Sequence, residues 1–195
     1  MGISFKTTAV PGAFPTIWRG ECKMLPGGFN PGQDFPIGTQ IHRGTLVHVD
    51  FATMKAYVCK TAKALDGSTT TAIKVAKGSL FAAGDYIAKV GGSANAVAIT
   101  SVNTTNDDYD VINCAAVTGL AAGDVIVLSA NGSQAAAYVP DAVVGATYVH
   151  DAKGINAFDV AYEAVVLYPT IQPVPAEWLQ GFSLKNNQSI KLIRQ

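Results

Sequence analysis

Leu80-Phe81-Ala82-Ala83-Gly84-Asp85-Tyr86-Ile87 returns further along the chain as Leu120-Ala121-Ala122-Gly123-Asp124-Val125-Ile126, one residue shorter. In each copy an apolar anchor precedes Gly-Asp and an apolar run follows, Tyr86 to Val90 and then Val125 to Leu128. Glycine supplies the backbone freedom of a tight turn, and an aspartate carboxylate can bond nearby backbone N–H groups. The two copies therefore read as equivalent corners, each feeding a strand. A solenoid needs about three stacked units, so two corners belong to one small barrel or sandwich.

The residues between the copies agree. Ala96-Val97-Ala98-Ile99-Thr100-Ser101-Val102 alternates cleanly, and Tyr109-Asp110-Val111-Ile112-Asn113-Cys114 does so less cleanly. The loop Asn103 to Asp108 is rich in turn formers. Residues 75–140 are read as an inserted antiparallel β subdomain of about five or six strands. Its start is placed at the composition shift of Thr69-Thr70-Thr71.

Outside the insert, Gln40 to Val49 and Lys55 to Lys60 read as strands of a hairpin or meander. Residues 157–168 fit a helix face through Phe158, Tyr162 and Val165, but the Val165-Val166 run and Pro169 favour a strand. Ala176 to Gln180 has room for one helical turn, and Ser189 to Ile193 alternates as a last strand. The fold class expected is mainly β: an antiparallel sandwich or barrel, with residues 1–74 and 141–195 as a base domain. Residues 1–36 form an extended arm of it. Pro11, Pro15, Pro26, Pro31 and Pro36 exclude a long helix or central strand from that segment. Phe14, Trp18, Phe29 and Phe35 each demand a surface to cover. That surface is either the chain's own core or a neighbouring subunit.

The chain has 195 residues, 49% of them apolar and 14% charged, with 14 basic and 14 acidic side chains. Soluble domains average about 25% charged residues. Zero net charge removes the footprint expected of a nucleic-acid partner. No apolar run reaches a membrane-spanning length of about 18 residues. The start has no secretory pattern, and Lys6 breaks a myristoylation motif. Cys22, Cys59 and Cys114 are too few and too scattered for a disulfide framework or zinc site. Asn103, Asn131 and Asn187 open sequons of the kind any Asn- and Thr-rich chain contains.

Catalytic motifs are missing too: no G-x-S-x-G elbow, H-E-x-x-H, Walker loop or Gly-x-Gly-x-x-Gly occurs. His42, His48 and Asp50 share a strand parity that would put three metal ligands on one face, but histidine pairs on strands are more often structural. Asp107-Asp108 sits in a turn, and Glu163 and Glu177 flank aromatics as at a core margin or interface. No enzyme activity, metal or cofactor is expected.

Two stretches resemble a known family. One runs from Phe5-Lys-Thr-Thr-Ala-Val-Pro-Gly-Ala-Phe-Pro-Thr-Ile-Trp-Arg-Gly through Leu25-Pro-Gly-Gly-Phe-Asn and Ile41-His-Arg-Gly-Thr to Val49-Asp-Phe. The other is Ala161-Tyr-Glu-Ala-Val-Val-Leu-Tyr-Pro with Trp178-Leu-Gln-Gly-Phe-Ser-Leu-Lys-Asn-Asn. Both are similar to head fibre proteins of Bacteroidales-type tailed phages and prophages. The resemblance implies a structural virion protein on the capsid exterior, made in the bacterial cytoplasm and bound to the major capsid protein. It supplies no catalytic residues. Self-association is expected, with a homotrimer as the favoured state, and no membrane partner. Phe5, Phe14, Trp18, Phe29, Phe35 and Trp178 are the expected oligomer or capsid contacts. The alternative is a carbohydrate-binding β module, in which Trp18, Trp178 and Tyr109 would serve as stacking platforms for a glycan.

Overall fold

Short apolar runs broken by Gly-Asp and Asn-rich turns become seventeen strands in a computed structural model that describes residues 17–25, 28–151, 157–168 and 172–194. In the first part of the chain these are β1 (Lys23–Met24), β2 (Asn30–Pro31), β3 (Gln40–Ile41), β4 (Leu46–Asp50) and β5 (Lys55–Val58). The middle holds β6 (Thr61–Lys63), β7 (Ala72–Ala76), β8 (Tyr86–Lys89), β9 (Val97–Asn103), β10 (Tyr109–Cys114) and β11 (Val125–Ser129). Last come β12 (Ala142–Val144), β13 (Tyr148–Val149), β14 (Val160–Tyr168), β15 (Leu179–Gln180), β16 (Ser183–Leu184) and β17 (Ile190–Arg194). One 3₁₀ turn, Ala176–Trp178, precedes β15.

A nine-stranded sheet has the order β15-β16-β17-β14-β12-β4-β5-β2, with β1 also on β14; β3 and β13 form a separate pair. Its middle strands are apolar on both faces. Leu46, Val143 and Ala161 belong to one core cluster with Trp178, Leu184 and Ile190, whereas Val47, Val144 and Val160 belong to another with Phe29, Ile41 and Phe158. Adjacent residues thus serve opposite sides, as strand geometry requires. The ambiguous stretch 157–168 resolves as strand β14 because its bonds run to neighbouring strands: β12 is antiparallel to it, β17 parallel. Lys23 faces Glu163 and Met24 faces Ala161, so Tyr162 is the extra residue of a β-bulge and turns outward.

The second sheet is six-stranded, in the order β6-β11-β8-β9-β10-β7. Its two edge strands are joined by a hairpin in which Leu65 N–H donates to the Lys74 carbonyl at 2.8 Å. The sheet therefore curls around a single core of Ile73, Val75, Ile87, Ile99, Ile112 and Ile126. This unit begins at Thr61, upstream of the expected start at residue 75. The threonine run is a turn and not a domain boundary: Thr69 Oγ1 accepts from Ala72 N–H at 3.0 Å, tying the β6–β7 hairpin. At the other end Ala137 N–H still bonds the Leu128 carbonyl, and the base resumes with β12.

The repeated corners share one geometry. Gly84 and Gly123 have φ of 91° and 92°, values that disfavour an L side chain. Asp85 Oδ2 accepts from Ala82 N–H at 2.9 Å, and Asp124 Oδ2 accepts from Ala121 N–H at 2.7 Å. Each carboxylate also meets a lysine at 2.7 Å, Lys60 for Asp85 and Lys89 for Asp124. The strands that follow, β8 and β11, pair antiparallel, so the copies are related as partners in one sheet.

The corners differ in what they protect. Lys60 is 4% exposed and stands between the two units, whereas Lys89 is partly open to water. Removing one partner of a buried pair costs about 3–5 kcal/mol, against about 1 kcal/mol for a partly exposed hydrogen-bonding group. Asp85→Ala is therefore expected to lose several times more stability than Asp124→Ala in urea unfolding at neutral pH. Equal losses would contradict this account. Lys89 and the Ala121 N–H hold the Asp124 carboxyl below its ordinary 3.8. Its contribution is present above that value and lost as pH falls through the depressed one. The Asp124→Ala deficit is accordingly expected to shrink in acid.

Candidate functional site

The described part of the aromatic arm covers the chain's own sheet. Leu167 N–H donates to the Ile17 carbonyl at 2.6 Å, Arg19 N–H to Val165 at 2.8 Å and Leu25 N–H to Val160 at 2.8 Å. Phe29 and Phe158 exchange both backbone bonds, at 3.0 and 2.7 Å. The described part of the arm thus runs antiparallel along β14 and its lead-in as a discontinuous edge strand, the form proline permits.

This placement corrects the expected contact surface. Phe29 and Trp178 are each 2% exposed, and Phe35 is buried with Lys60 Nζ 5.5 Å from its ring centre. Their apolar area is already covered by the base, so they present no face to a partner. Trp18 is half-buried against the same core and bridges Val166. Phe5 and Phe14 lie outside the described residues. Of the expected glycan platforms, Trp178 is buried and the Tyr109 ring carries Lys74 Nζ at 4.8 Å.

His42, His48 and Asp50 do not converge. Asp50 caps its own turn through Ala52 N–H at 2.9 Å and Thr53 Oγ1 at 2.7 Å. His48 Nδ1 instead meets Asp141 Oδ2 at 2.9 Å, and Asp141 Oδ1 accepts from Val49 N–H. Burial raises the Asp141 carboxyl above its ordinary value against those favourable contacts. Beside this pair the Tyr57 and Tyr138 rings stack at 4.5 Å and 19°, with His48 6.2 Å from Tyr138. They border an open hollow together with Asp50 and Asn186. Sequence reasoning missed this cluster, since only the cross-strand pairing of His48 with Tyr57 is local. Cys59 and Cys114 are buried, and desolvation raises both thiols above the ordinary value, away from the low-pKa environment of a reactive cysteine.

A cleft of about 630 Å³ opens where the two units meet. His42 and Arg43 reach it from the β3–β4 turn, Lys60 and Lys63 from the entry to the second sheet, and Lys77 from the end of β7. No Asp or Glu is among its described lining residues. Ile17, Ala62, Leu65, Leu80 and Pro173 supply apolar wall. Thr61 Oγ1 donates to the Pro173 carbonyl at 2.6 Å and clamps the base to the second unit at the cleft's edge.

Exposed apolar side chains form the other notable surface. Ile37, Phe51 and Phe182 are 72%, 64% and 77% exposed, and Met24, Met54, Val149 and Tyr162 are exposed as well. Every one of these lies outside residues 61–129.

No family model matches the chain, and neither a curated protein nor a solved structure shows significant similarity to it.

If Phe29, Phe35 and Trp178 are core residues, truncation must cost folding energy. Trp178→Ala is expected to destabilise by about 3–5 kcal/mol, while Phe182→Ala stays within about 0.5 kcal/mol, as surface changes do. Urea unfolding decides, and a Trp178→Ala variant as stable as the parent would contradict the placement.

Proposed function

We propose that the chain is a structural virion protein, a capsid decoration or head fibre component that binds the outside of a phage head. The base carries the contacts, and the six-stranded unit projects from it. The observation that carries this reading is segregation of exposed apolar surface. Ile37, Phe51, Phe182 and the other exposed large apolar residues all belong to the base. Among the described residues the large exposed apolar side chains all fall on one unit and none on the other, which points to the base as the side that meets a partner. The stretches that resemble phage head fibre proteins, Phe5 to Phe51 and Ala161 to Asn187, fall outside residues 61–129 too.

Local geometry supports the same reading. Met54 is the only described non-glycine residue with positive φ, at 52°. Such a backbone costs about 1–2 kcal/mol, yet this turn leaves Met54 exposed and most of the Phe51 ring in solvent, with only its edge contact to Phe29 at 5.8 Å turned inward. An outside partner gives those side chains a use. The major capsid protein is the proposed partner, with the chain itself, as a homotrimer, completing the assembly.

A second reading, a carbohydrate-binding β module, is favoured by one observation. The stacked Tyr57 and Tyr138 rings lie beside His48, Asp50 and Asn186 in an open hollow, which combines apolar faces with hydrogen-bonding groups. Binding to a glycan array that Tyr138→Ala abolishes would move the assignment there.

The main reading is tested by light scattering and by co-sedimentation with phage heads lacking this protein. The parent chain is expected to be trimeric and to sediment with the heads. An Ile37→Ser, Phe182→Ser double variant is expected to lose both properties while keeping its unfolding midpoint. A stable monomer that stays in the supernatant when the heads pellet would overturn the proposal.

A further inference from the structure

We infer that the cleft between the two units is a binding site for a small organic anion with a compact apolar body. Its charge is one-signed in a chain whose 14 basic and 14 acidic residues balance. Five potentially cationic side chains line it and no described carboxylate does.

Two of the five are already neutralised from outside the cleft lining. Lys60 meets Asp85 at 2.7 Å, and Lys77 meets Asp110 at 3.1 Å while donating to the Thr104 and Asn106 carbonyls. Arg43 and Lys63 have no carboxylate partner among the described residues. They supply two uncompensated charges. Low-dielectric walls around like charges focus the field within a cleft.

The remaining lining sets the ligand's shape. Ile17, Leu65, Leu80 and Pro173 reward burial of apolar surface. The volume falls within the range of small-molecule sites, about 300–1,000 Å³, and such sites favour junctions between domains. The chemistry specified is an oxyanion head, carboxylate, sulfonate or phosphate, held by Arg43 and Lys63 above an apolar body. Because lining residues come from both units, a bound ligand also ties the projecting unit to the base. This inference is independent of the virion reading.

The test uses the full chain and the aromatic sulfonate 8-anilinonaphthalene-1-sulfonate, whose fluorescence rises in apolar sites. Saturable binding is expected, displaced by decanoate but not by inorganic phosphate at the same concentration. The Arg43→Glu, Lys63→Glu double variant is expected to bind the sulfonate at least about tenfold more weakly, the effect of losing one charge-assisted contact. Its urea midpoint is expected to stay close to the parent's, since Lys63 is exposed, Arg43 is only partly buried and neither pairs with a carboxylate among the described residues. Binding of the uncharged analogue N-phenyl-1-naphthylamine is expected to be unchanged by the double variant. The Phe182→Ser variant controls for dye on the exposed base and is expected to bind the sulfonate as the parent does. Sulfonate binding equal in parent and double variant, or displacement by phosphate as effective as by decanoate, would overturn the inference.

Discussion

Strand β14 is the constraint on which the base depends. Val160, Ala161, Ala164, Val166 and Leu167 are all buried, so its backbone polar groups must find partners within the chain. Three separate segments supply them: β12 and β17 by ladder, and the arm by scattered bonds at Ile17, Arg19, Met24 and Leu25. A regular edge strand would do the same work, but the arm bonds β14 only at intervals, with a bulge at Tyr162 between Lys23 and Met24. Bulky aromatics compensate by covering area, Phe29 on one side of the sheet and Trp178 on the other. Arm, sheet and 3₁₀ turn therefore form one packing unit.

The second unit joins this base through a charge. Lys60 leaves the base sheet, sends its ammonium into the first Gly-Asp corner and bonds the Leu128 N–H with its carbonyl. Val127 of β11 then enters the base's core cluster beside Cys59. One corner of the repeat is thus recruited to hold the units together, while its twin at Asp124 merely shapes a loop. The cleft is a by-product of that junction. Two curved sheets meeting along a short seam leave a wedge between them, and two of its three lysines, Lys60 and Lys63, come from the crossing segment.

What could be read from the residues alone follows from range. The corners depend on Gly84, Asp85, Gly123 and Asp124 acting within three residues, and their geometry matched the local rule. The strand character of 157–168 followed from β-branched residues and a closing proline. Placement of the arm did not follow, because Phe29 bonds Phe158 and Ile17 bonds Leu167 across most of the chain. An aromatic's need for cover is readable, but which surface covers it is not. The carboxylate that meets His48 was unreadable for the same reason: Asp50 shares its strand, whereas Asp141 arrives from a distant one. The threonine run misled in the other direction, since a composition shift marks a tight hairpin turn as readily as a domain boundary.

The proposed role rests on an asymmetry: one unit buries its apolar residues and the other displays several. Exposed Ile37, Phe51 and Phe182 belong to the same unit whose core already holds the large aromatics. Low overall charge then has a use, since less charge has to be desolvated when that unit meets a partner. Hydroxyl-radical footprinting of the chain, free and on assembled heads, tests this most directly. The account predicts that Ile37, Phe51 and Phe182 lose reactivity on heads, while residues of β9 and β10 keep theirs. Protection of β9 and β10 with the base residues still reactive would contradict it.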